Sequence, residues 1–60
     1  MQADEKYKTG DLKGAVENYS QALRLNPNYG EAYFGRGDAR GDLGDKKGAI
    51  EDLTQAIRIN

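Results

Sequence analysis

The sixty-residue chain contains no cysteine, no histidine and no tryptophan, and only one proline, one phenylalanine and one methionine. Without cysteine no disulfide can staple it, and without cysteine and histidine the commonest ligands for zinc-like metals are missing. No apolar run approaches the roughly twenty residues a membrane-spanning helix needs. No basic block offers itself to a phosphate backbone either, because nine Lys and Arg stand interspersed among ten Asp and Glu. Met1-Gln2-Ala3-Asp4-Glu5 has neither the basic start nor the apolar stretch of a secretory signal. These absences lead us to expect a soluble, cytoplasmic chain with no nucleic-acid or membrane partner.

Catalysis needs a positioned nucleophile or base beside an enclosed pocket. Here the candidates are carboxylates, lysines, tyrosines, Thr9, Ser20 and Thr54, dispersed along a short chain. Asp38, Asp42 and Asp45 near Gly41 and Gly44 do not have the spacing of a twelve-residue calcium loop. No catalytic residue, cofactor or metal site is expected, and the chain reads as a non-enzyme. A domain this small buries only about 60% of its unfolded surface, so its stability must come from helix packing or from another chain.

What the sequence does contain is an internal echo. Thr9–Asn26 aligns with Leu43–Asn60 at an offset of 34 residues, with ten of eighteen pairs identical and five more conservative. Gly10-Asp11, Lys13-Gly14-Ala15, Glu17, Gln21-Ala22, Arg24 and Asn26 recur as Gly44-Asp45, Lys47-Gly48-Ala49, Glu51, Gln55-Ala56, Arg58 and Asn60. A fixed period of this length marks stacked repeats, each burying its apolar side against the next.

Within each copy Leu12, Ala15, Val16, Tyr19, Ala22 and Leu23, then Ala49, Ile50, Leu53, Ala56 and Ile57, fall at the spacing of one helical face. Lys13, Glu17 and Gln21, with Lys47, Glu51 and Gln55, form the opposite, solvated face. Gly10-Asp11 and Gly44-Asp45 read as turns whose aspartates cap the following helices. Pro27 ends one helix, and Asn28 with Glu31 has the spacing of a capping box opening the next near Tyr29. Four helices are expected, near residues 2–9, 11–25, 29–42 and 45–59.

This pattern resembles the tetratricopeptide repeat, a 34-residue helix–turn–helix unit. Ala15-x3-Tyr19, Ala22 and Pro27 match its second half, and Ala49-x3-Leu53 and Ala56 match it again. Tyr33 takes the place of the family tryptophan and Gly37 that of its glycine, with Ala3 at the corresponding earlier position. The resemblance implies an all-α fold of two stacked hairpins, a fragment of a right-handed α-solenoid. One domain, 1–60, would hold a first repeat over about 1–29 with a shortened first helix, and a second over 30–60. This is a little under two repeats of a longer array, with apolar ends left uncovered and self-association, end to end or by helix exchange, as the expected consequence.

In the family, peptides lie in the groove lined by the first helices of successive repeats. Carried over by position, that groove presents Asp4, Tyr7 and Lys8 from the first copy and Glu31, Phe34, Asp38, Gly41 and Asp42 from the second. Four carboxylates against one lysine imply a basic or amphipathic protein or peptide as partner. The lysines, arginines and asparagines that clamp a C-terminal carboxylate in part of the family are mostly missing from these positions. Phe34 and Tyr7 are candidate apolar anchors; Phe34 packed between helices is the competing reading. Tyr19 and Tyr33 sit at packing positions.

The third helix departs from the family pattern. Arg36 and Arg40 occupy places where the family has leucine and an aromatic, and Gly35, Gly37 and Gly41 each cost a helix interior about 1 kcal/mol. This helix is expected to be the one most prone to fray or bend. Arg36-Gly37-Asp38 and Arg40-Gly41-Asp42 also repeat the tripeptide of extracellular adhesion ligands. Integrin-type recognition needs an extended loop, so adhesion stands as a minor alternative.

Overall fold

The computed structural model describes residues 9–59, which form three helices: α1 (Thr9–Leu25), α2 (Gly30–Asp42) and α3 (Lys46–Ile59). The helix expected near residues 2–9, with Asp4, Tyr7 and Lys8, lies outside the described residues. α2 is the central element and packs against both α1 and α3. Among the described residues there is no strand, and no helix is long and apolar enough to cross a membrane.

The turn from α2 to α3 follows from three residues. Gly44 has φ +92°, the left-handed conformation that costs glycine nothing. With it in place, the Asp45 N–H reaches the Arg40 carbonyl at 2.8 Å and the Gly44 N–H the Gly41 carbonyl at 3.0 Å, satisfying the end of α2. The Asp45 carboxylate then accepts the Gly48 N–H at 2.9 Å and caps α3. The expected glycine–aspartate turn is therefore formed here.

Its counterpart is not. α1 begins at Thr9, so Gly10 and Asp11 lie in its first turn, where Asp11 still meets the positive end of the helix dipole but opens no turn. The capping box before α2 is also absent. Tyr29 is the N-cap, in extended conformation and without a side-chain cap bond. Backbone groups do that work: the Tyr29 N–H bonds the Asn26 carbonyl at 3.1 Å, and Tyr29's own carbonyl accepts from Ala32 and Tyr33.

The core is built of small residues. Among the described residues Leu23, Ala32, Ala39 and Ala49 are the buried hydrophobic ones, joined by buried Gly37 and Gly48. Small side chains bring helix axes close, and α2 exploits this at its glycines rather than breaking there. A Cβ on Gly35 would run into the Tyr19 ring, with Tyr19 Oη at 2.7 Å and Cε1 at 2.8 Å. A Cβ on Gly37 would meet Asp52 Cβ and Leu53 Cγ at 3.1 Å and the Ala49 carbonyl at 3.2 Å. These two glycines are contact points, and α2 runs unbroken from Gly30 to Asp42. Only part of the apolar stripe on α3 is covered, because Ile50 and Ile57 remain 65% and 76% exposed.

Candidate functional site

α2 carries two faces of opposite character. Glu31, Phe34, Asp38 and Asp42 recur at the three-and-four spacing of one side, and all four are exposed. Phe34 is 61% exposed, so it is not packed between helices. Gly41 is exposed too, but a Cβ there would lie 3.6 Å from Ala49 Cβ, which places it at the border with α3 rather than amid the carboxylates.

The other side of α2 holds both arginines. Arg36 donates from Nε and Nη2 to the two oxygens of Asp52, each at 2.9 Å, a bidentate pair. Its Nη1 donates to Ser20 Oγ at 2.9 Å, so one guanidinium ties α2 to both neighbouring helices. Arg40 Nη1 donates to Asp52 Oδ2, also at 2.9 Å. The carboxylate at the centre is only 3% exposed. Its hydrogen bond raises the Arg36 pKa above the ordinary guanidinium value, against the opposing effect of burial, so this guanidinium stays charged. Arg36 also lies over the Tyr33 ring, 5.6 Å from its centroid, within range of a cation–π contact.

The sequence pattern Arg-Gly-Asp-Ala-Arg-Gly-Asp is balanced in charge, yet the helix sorts it. Both cations turn inward to Asp52, and the acids Glu31, Asp38 and Asp42 face solvent. Among the described residues no group of three or more acidic side chains gathers closely enough to hold a metal ion. Asp52 escaped sequence reasoning. The signal was there in the single position where the second copy has an acid and the first has Asn18.

A second surface opens beside the first. Tyr29, Glu31, Phe34, Leu53, Ala56 and Ile57 are among the residues lining a groove of ≈ 700 Å³ between the start of α2 and the end of α3. It is open to solvent, and Ile57 in its lining is largely exposed.

Two family models match the chain: one described as TPR repeat covers residues 3–44, and one described as tetratricopeptide repeat covers residues 30–60. No curated protein and no solved structure gave a match.

Proposed function

Because the chain belongs to the tetratricopeptide repeat family, whose repeats are generally non-catalytic scaffolds for protein–protein interaction, we propose that it holds a basic or amphipathic peptide or protein segment on the exposed face of α2. The observation that supports this is the sorting of charge. With Arg36 and Arg40 bound to Asp52, no cation of α2 neutralises Glu31, Asp38 and Asp42. Phe34 supplies an apolar anchor among them. Asp4, Tyr7 and Lys8, which lie outside the described residues, belong to the proposed surface only by what the family resemblance implies.

A fluorescent peptide with lysines and leucines on one helical stripe is expected to bind, and to bind less well as salt screens the attraction. Asp38→Lys should weaken it roughly threefold to tenfold, whereas Glu17→Lys on the solvated side of α1 should not. Binding that ignores both salt and Asp38→Lys would remove the acidic face from the account.

Self-association is a second reading, favoured by the exposure of Phe34 and Ile57 in the open groove and of Ile50 elsewhere on α3. Light scattering should then give a mass that rises with concentration and falls back on Ile57→Lys. A monomer across a wide concentration range would sink it. Adhesion through the two Arg-Gly-Asp triplets draws no support, since both lie within α2 and their arginines are engaged on Asp52.

A further inference from the structure

α2 lies between two helices that are near-copies of each other. Gly14, Ala15 and Ala22 of α1 stand where Gly48, Ala49 and Ala56 stand in α3, so small-residue packing alone does not say which helix belongs beside the arginines. In repeat proteins that ambiguity has a cost. An α1 from a second molecule can take the place of α3, and the product is an exchanged dimer.

The chemistry of one position discriminates between them. Asp52, only 3% exposed, meets the part-buried Arg36 and Arg40 with three hydrogen bonds of 2.9 Å. Asn18, its equivalent in α1, has one acceptor oxygen and an NH2 group that would face guanidinium donors. Two cations would then lack their anion, which is the expensive way to break a buried pair. On its other side Arg36 finds the Ser20 hydroxyl, so it reads a hydroxyl on α1 and a carboxylate on α3 at once.

We propose that Arg36, Arg40 and Asp52 are a pairing code. They admit beside α2 only a helix with a carboxylate at the Asp52 position, and so exclude the α1 of a second copy. The surface α2 presents there fits a helix with glycine and alanine at the places of Gly48 and Ala49 and an acid three residues after the alanine.

The code can be transplanted. Asn18 is exposed, so Asn18→Asp gives α1 the missing acid without disturbing the fold, while Asp52→Asn removes it from α3. Both variants are made in an Ile57→Lys background, so that association through the exposed face does not contribute. One is isotope-labelled, the two are mixed in equal amounts, and native mass spectrometry counts the heterodimer. The expected heterodimer population exceeds the dimer of either variant alone by about tenfold or more. A mixture no more dimeric than its components overturns the code.

A second variant covers the case in which Asp52→Asn does not fold. Arg36→Leu, Arg40→Leu and Asp52→Leu together, in the same background, remove the charges and keep apolar volume. This protein is expected to be at least as stable as the parent yet about tenfold richer in exchanged dimer. A folded triple variant as monomeric as its parent overturns the code.

Discussion

Asp52→Ala is expected to lower the free energy of unfolding by about 3 kcal/mol, read as a shift of the urea midpoint followed by circular dichroism. The reason is less the loss of attraction than what remains behind. Two guanidiniums stay in a half-buried cleft without the anion that offset their desolvation. The low end of the usual range applies because the Arg36 and Arg40 side chains keep 17% and 27% of their exposure and can recruit some water. Against the about 5–15 kcal/mol typical of whole domains, with a chain this short near the bottom, the loss takes much of the total. Ser20→Ala removes one hydrogen bond of the same guanidinium and should cost only about 1 kcal/mol. If Asp52→Ala costs no more than Ser20→Ala, the arginines are adequately solvated and the buried pair is not what holds α2 to α3.

That network marks the limit of what could be read in advance. The 34-residue echo and its helical periodicity placed α1, α2 and α3 to within two residues at each end, and residue type gave the Gly44-Asp45 turn with its cap but not the fate of the identical pair Gly10-Asp11, which lies inside α1. The family resemblance, not the periodicity, singled out Glu31, Phe34, Asp38, Gly41 and Asp42 on α2; the first three and Asp42 share an exposed face, and Gly41 lies at its border with α3. The inward arginines were not legible. A guanidinium at an interior position makes sense only once its acid is known, and Asp52 lies 16 residues away on another helix. A stripe of apolar residues likewise does not declare what covers it: Ala49 is buried while Ile50, the next residue, is exposed. The same holds for the glycines. Helix propensity counts their cost but not the neighbour that makes them necessary.

The glycines accordingly divide into two classes of opposite sign. Gly14→Ala and Gly41→Ala should each stabilise the chain by up to about 1 kcal/mol, because alanine is the better helix former and room is available. Among the described residues a Cβ on Gly14 meets nothing within 4 Å, and one on Gly41 makes an ordinary contact with Ala49. Gly35→Ala and Gly37→Ala receive the same propensity gain and should still destabilise by about 1–3 kcal/mol through overpacking. Of the two, Gly37→Ala should be the worse. Its new methyl faces a backbone carbonyl and a Cβ, which retreat only if α2 and α3 move apart as bodies. At Gly35 the obstacle is the end of the Tyr19 side chain, half-buried and able to swing aside at the loss of its ring contact. Tyr19→Leu, which installs the residue that the second copy carries as Leu53, should therefore rescue Gly35→Ala. In a double-mutant cycle the pair should cost less than the sum of its parts by at least about 0.5 kcal/mol. Strict additivity would mean that Gly35 is not the seat of the Tyr19 ring, and that α1 and α2 meet in some other register.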